Sequence, residues 1–300
     1  MEDTRARSPE GGARLSGVSG RRAATQTEVA EDAAFLSGAA LARLHLAATS
    51  ADLPHSLWRA RLALEAAVAC VSLAGRAERV TALRDAVQLV RPGDRPGPAG
   101  EICSLWQGAV ARPISAAALG RVAPMLEAAR IARCLEPGRN SAAGNPVARA
   151  AGVLEAVLAE APRAETAALI LADAALARAM GWDYLVPLLA AGLKPRDLRR
   201  RGEGLRLACH RAIPASAVAA MQLAADLARR AEGLRRVAPK LRARAATEAV
   251  ALFLSRDALA PAALSGLMSD RAARRLCDRL VALGVLRELT GRASFRLYGV

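Results

Sequence analysis

Alanine and leucine recur at three- and four-residue intervals along most of this chain, and such runs bury one face only when they are α-helical. Strands want β-branched and aromatic side chains. Here aromatics make up only 3% of a chain that is 53% hydrophobic. Alanine and leucine are instead among the best helix formers. The core must therefore be built from small and aliphatic side chains carried on helices, and 300 residues suffice for one large domain or two modest ones.

The spacing predicts a first helix over 28–48, capped by Thr27, with Phe35, Ala39, Ala42 and Leu46 on its inward face. A second, over 57–73, carries Trp58, Leu62, Leu64, Val68 and Val71 and is expected at the centre of the fold. A third covers 78–89. The stretch RPGDRPGPAG, residues 91–100, predicts a surface connection without regular structure. Helices resume at 101–111 and at 115–135, the latter kinked or split by Pro124. Residues 136–146 form a second loop, ending with Asn145 as a helix cap and Pro146 at the first helical position. Helices over 147–160 and 163–180 follow, then a short apolar piece at 184–191 and the charge run KPRDLRRR at 194–201. Two further helices, 205–212 and 216–235, precede Pro239.

Residues 243–300 have a different shape. A helix over 247–255 turns Ala249, Val250, Phe253 and Leu254 inward, a short second helix covers 261–265, and Gly266 turns the chain. Ser269 caps a third helix, which Gly284 ends. On it Ala273, Leu276, Cys277, Leu280 and Leu283 share one face; Arg271, Arg274, Arg275 and Asp278 lie on the other. Strands 285–289 and 294–298, joined through Thr290-Gly291-Arg292, make a hairpin with Phe295 and Tyr298 in its core. The expected fold class is thus mainly α: a multi-helix bundle domain followed by a C-terminal winged helix-turn-helix with a small β-hairpin. The expected division is a disordered tail over 1–25, an all-helical domain over 26–242 and a winged helix-turn-helix domain over 243–300.

Charge sharpens this division. From Gln26 to Leu193, sixteen basic residues meet sixteen acidic ones; from Lys194 to Val300 there are twenty-two against nine. The net charge of +15 therefore resides almost wholly in the C-terminal third. A general bias toward arginine would raise charge evenly, so the asymmetry predicts a basic face suited to double-stranded DNA. A helix-turn-helix places the start of its last helix in the major groove. Ser269, Arg271, Arg274 and Arg275 are accordingly the candidate nucleic-acid-binding residues, because arginine grips guanine O6 and N7 bidentately and also neutralises phosphate. Arg292, at the expected wing tip, is the fifth, suited to a phosphate or the minor groove.

Other chemistries find little support. The five cysteines (Cys70, Cys103, Cys134, Cys209, Cys277) are widely spaced and lie mostly in apolar helical runs, as reduced core residues do. His45, His55 and His210 belong to no HExxH, GxSxG, P-loop or GxGxxG pattern. Cys209 and His210 are helix neighbours about 100° apart, which is wrong for a nucleophile–base dyad. No catalytic residue, cofactor or metal is expected. No hydrophobic leader and no run of about eighteen apolar residues occurs, which predicts a cytoplasmic protein with no membrane partner.

The segments AEDAAFLSGAALARLH (30–45), LWRARLALEAAVACVSLAGR (57–76), LRDAVQLVRPGDRPGPAG (83–100) and SDRAARRLCDRLVALGVLRELTGRASFRLYGV (269–300) resemble the bacterial domain-of-unknown-function family 1403. That family carries no established activity to transfer. The ending LGVLRELTGRASFRLY (283–298) is similar to the winged helix that closes many Fic-domain proteins. Fic enzymes require a His-Pro-Phe…Gly-Asn-Gly-Arg loop; Gly144-Asn145-Pro146 has neither the preceding His-Pro-Phe nor a following Gly-Arg, so no nucleotidyl-transfer residue is assigned. The expected function is a DNA-binding regulator whose helical domain senses a signal or forms a homodimer. The alternative is a non-catalytic protein-interaction or scaffold protein with a degenerate Fic-like helical fold.

Overall fold

Helices form wherever the alanine–leucine spacing demands them, and their ends follow from local chemistry. The computed structural model describes residues 16–90, 93–136, 145–241 and 245–300, with side chains from residue 28 onward. Helix α1 runs over Ser16–Ala48 and α2 over His55–Leu73. Short α3 (Val80–Gln88) and longer α4 (Gly97–Val110) follow. Pro124 does divide the next segment, leaving α5 (Ala116–Gly120) and α6 (Ala128–Leu135). Asn145 caps α7 (Pro146–Glu160), its Oδ1 accepting from the Val147 and Ala148 amides at 3.1 Å each. Then come α8 (Glu165–Ala179), α9 (Leu189–Gly192) and the 36-residue α10 (Gly202–Val237).

Five expectations need correction. The first helix begins at Ser16, so Thr27 lies inside it and the expected tail retains only residues 1–15, which lie outside the described residues. Helix α4 starts at Gly97 within the predicted loop, with Pro98 in the first turn, where a missing N–H costs nothing. The predicted pair of helices after 202 is one, with Pro214 inside it. A proline there removes the bond to the His210 carbonyl and costs about 3 kcal/mol. Packing of α10 against α1, α7 and α9 along its length offsets that loss. The inward face of α1 is Ala33, Ser37, Leu41 and Leu44, while Phe35 and Leu46 stand 75% and 73% exposed. The central helix is α8 rather than α2: its residues Ala167–Ala177 are buried without interruption, as in a helix surrounded on all sides.

Within that interior sits one carboxylate of α8. Asp173 is fully buried and accepts from the amides of Leu188 (3.2 Å) and Leu189 (3.0 Å), the first turn of α9. Burial pushes its carboxyl up to about 7, although the backbone amides favour the charged form. All five cysteines are buried and free of disulfides, and burial pushes the thiols of Cys103, Cys209 and Cys277 up to about 12.

The C-terminal segment contains α11 (Ala246–Phe253), a 3₁₀ turn (Pro261–Leu264), α12 (Asp270–Ala282) and the two-residue strands β1 (Arg287–Glu288) and β2 (Tyr298–Gly299). The strands pair antiparallel, Arg287 opposite Gly299 and Glu288 opposite Tyr298, and Leu259 makes an isolated antiparallel bridge to Tyr298. Buried residues from Leu41 to Val300 form one contiguous apolar cluster, so this segment shares its core with the helices before it. No helix among the described residues is long and apolar enough to cross a membrane.

Candidate nucleic-acid interface

Helix α12 is built as the sequence predicts. The Ser269 hydroxyl accepts from the Ala272 amide, satisfying one of the first-turn donors. Asp270 in the first turn complements the helix dipole. At the other end Gly284 takes a φ of 71°, a left-handed conformation that side-chain-bearing residues adopt at a penalty. Ala273, Leu276, Cys277 and Leu280 are buried; Leu283, expected with them, is 40% exposed at the helix end.

The opposite face carries charge into solvent. Arg271, Arg274, Arg275 and Arg279 are all exposed, with Asp270 and Asp278 between them. Arg274 pairs with Asp270 at 2.7 Å across one helical turn. Such an exposed i,i+4 pair is worth only about 0.3–0.5 kcal/mol and is easily exchanged for another anion. Among the described residues Arg271 and Arg275 make no ion pair. Arg279 belongs to the same face and was not singled out from the sequence, although its spacing eight residues after Arg271 places it there.

Arg292 is placed differently. Its guanidinium forms two hydrogen bonds with Asp85 of α3, at 3.0 and 2.7 Å, and is half-buried. The sequence suits Arg292 to a phosphate or the minor groove; in the structure a carboxylate of α3 holds it bidentately. The tip itself differs too. Between Leu289 and Leu297, which share a hydrogen bond of 2.7 Å, the chain makes a longer excursion than a three-residue turn. Phe295, expected in the core, stands 73% exposed with φ 54°, while Tyr298 is buried as expected.

A second anchor lies beneath the hairpin. Asp257, 7% exposed, receives a bidentate pair from Arg84 of α3, Nε to Oδ2 at 2.6 Å and Nη2 to Oδ1 at 3.0 Å. Arg61 of α2 pairs with the same carboxylate and donates to the Val300 carbonyl at 3.0 Å. Burial lowers the Arg61 pKa, and Asp257 opposes that shift. Gly299 fits this crowded place because a Cβ there would lie 2.6 Å from the Asp257 carbonyl oxygen. None of these four partners was found from the sequence, since 173 to 239 positions separate them and no local pattern marks the pairing.

The remaining candidates for chemistry are occupied structurally. His210 Nδ1 lies 2.7 Å from the Ser37 hydroxyl, which itself donates to the Ala34 carbonyl, and Nε2 faces the Asn145 amide at 3.4 Å. Burial, then Arg206, lowers the His210 pKa, keeping it a neutral link between α1, α7 and α10. Among the described residues no three His, Cys, Asp or Glu side chains converge as metal ligands would.

The molecule is thus a mainly helical protein with an arginine-faced helix near its C-terminus and a hairpin docked on α2 and α3. It belongs to the family of proteins of unknown function DUF1403, whose family model matches residues 9–300. No curated protein and no solved structure matches the chain.

Proposed function

We propose that this protein is a cytoplasmic DNA-binding regulator that lays the start of α12 in the major groove of duplex DNA. The observation that carries the proposal is the solvent-facing row Arg271, Arg274 and Arg275, on a helix whose other face is buried. Reading residues 243–300 as a winged helix-turn-helix is supported by the order of elements. Helix α11, the bridging residue Leu259, the 3₁₀ turn, α12 and the β1–β2 hairpin follow one another as that motif requires, with the 3₁₀ turn in place of its second helix. Ser269 caps the helix and keeps its hydroxyl proton for a phosphate oxygen.

The helical body would then sense a signal or dimerise. Homodimerisation through α1 is supported by Phe35, Ala39, Ala42 and Leu46, all exposed and spaced 4-3-4 as in a coiled-coil seam. A two-fold dimer would present two α12 helices to two half-sites. Binding of the full-length protein to pooled genomic DNA at several salt concentrations tests the proposal. Affinity should fall steeply with salt, by about 0.9 log unit per log unit of salt for each phosphate neutralised. Salt-insensitive binding, or none, would contradict it.

One observation favours a second reading, a non-catalytic interaction protein. The hairpin spends Arg292 on Asp85, and Asp257 in the loop after α11 takes up Arg61 and Arg84, as an internally packed winged helix would. Light scattering and pull-down from a native lysate separate the two: a stoichiometric protein partner without nucleic acid supports this reading.

A further inference from the structure

A cavity of about 340 Å³ opens between the end of α1, the start of α2 and the loop after α8. Its walls include His45, His55, Trp58, Arg59, Trp182 and Tyr184. The whole chain holds three histidines, three tryptophans and two tyrosines, and five of these eight residues meet here. A core made of alanine and leucine does not need such a concentration at one surface opening.

Each group is held in place. Trp182 Nε1 donates to His45 Nδ1 at 2.9 Å, and the two rings lie 14° from parallel, 6.3 Å between centroids. That bond leaves the proton of neutral His45 on Nε2. Trp58 Nε1 donates to the Ala220 carbonyl at 3.0 Å. The Arg59 guanidinium lies over the Tyr184 ring, 4.0 Å from its centre, and Nε donates to the Val110 carbonyl at 3.3 Å. Among the described residues Arg59 has no carboxylate within ion-pair distance and no acceptor for its Nη groups. Burial, then Arg59, lowers the His55 pKa, so that imidazole is neutral at pH 7. One carboxylate, Asp183, belongs to the lining, and it is exposed to solvent.

A partly buried cation without an anion is an incomplete pair. Its planar fork matches a carboxylate bidentately, and the neighbouring walls match a flat apolar ring. We infer that this cavity binds a small planar aromatic carboxylate, with its carboxylate on Arg59 and its ring against Trp182 and Tyr184. The volume lies in the range of about 300–1,000 Å³ usual for small-molecule sites. Inorganic anions would leave the aromatic walls unused, and neutral aromatics would leave Arg59 unpaired.

Calorimetric titration of the full-length protein with benzoate, salicylate, benzamide and inorganic phosphate, without DNA, tests this. Saturable binding of the two aromatic carboxylates is expected, with benzamide and phosphate at least about tenfold weaker, the loss of one charge-assisted contact. Arg59→Gln should weaken benzoate by about tenfold or more on the same grounds, while the melting temperature reports on its fold. Tyr184→Leu leaves the Arg59–Val110 bond intact and should weaken benzoate on its own; it decides the matter if Arg59→Gln does not fold. No saturable heat with either carboxylate at millimolar concentration, equal binding of benzamide or phosphate, or unchanged binding in these variants would overturn the inference. Because no DNA is present, any of these outcomes leaves the role of α12 to its own test.

Discussion

Helix α12 and the hairpin that follows it use arginine in opposite ways. On α12, Arg271 and Arg275 extend into solvent, and Arg274 holds only a neighbour one turn away. In the hairpin, Arg292 reaches back to Asp85 across 207 positions, while Asp257 in the loop after α11 gathers Arg61 and Arg84. Burial accounts for the difference. A half-buried guanidinium gains from a fixed partner, whereas an exposed one loses little by staying with water. The charge of Arg292 is therefore structural, and the charge on α12 remains available to a polyanion.

The largest effect should come from the anchor. Asp257→Ala strands two arginines in a largely dry site, and breaking such a buried pair costs about 3–5 kcal/mol. Urea unfolding monitored by circular dichroism checks this; a loss below about 1 kcal/mol would mean that the hairpin is not held through Asp257. Next comes a pH effect confined to the helical body. The folded carboxyl of Asp173 lies near 7 and its ordinary value near 3.8, so the folded state binds the extra proton between them. The contribution of Asp173 to stability should be greatest below pH 4, fall as pH rises to about 7, and then level off. Denaturant midpoints measured across that window in wild type and Asp173→Asn test it, because the variant should lose this component of the slope. The smallest effect should be Arg292→Ala, about 1 kcal/mol or less for a half-exposed pair, with DNA binding little changed. A large loss of DNA affinity in that variant, without unfolding, would return the wing tip to the interface and erase the contrast drawn above.

Much of the local fold was legible in the sequence, and the illegible part has a clear cause. Ser269 and Asn145 cap as their side chains require, and Pro124 divides its segment. The buried stripe of α12 follows from Ala273, Leu276, Cys277 and Leu280 at helical spacing. These signals act within a few residues. The inward face of α1 is not legible because alanine is common all round it, and the bulkier stripe through Phe35 and Leu46 is the outward one. That α10 runs unbroken through residues 213–215 is not legible locally, because the long-range packing that supports it leaves no mark in the sequence. The basic character of the C-terminal third was visible in the charge count, but which arginines are paired was not. Arg292 and Arg271 look alike until Asp85 is brought beside one of them. The aromatic cavity was hidden for the same reason: His45, Arg59 and Trp182 meet only after α1, α2 and the loop after α8 have packed.

The most direct test of the central claim is fluorescence anisotropy of a labelled duplex against salt, comparing wild type with Arg271/Arg274/Arg275→Ala and with Arg292→Ala. Losing three phosphate contacts should flatten the log–log salt dependence by about 2–3. Unfolding stability should change by no more than about 0.5 kcal/mol at each exposed site. Arg292→Ala should keep nearly the wild-type slope. A triple variant that binds DNA with unchanged affinity and unchanged salt dependence would contradict the assignment of α12 as the DNA-facing helix.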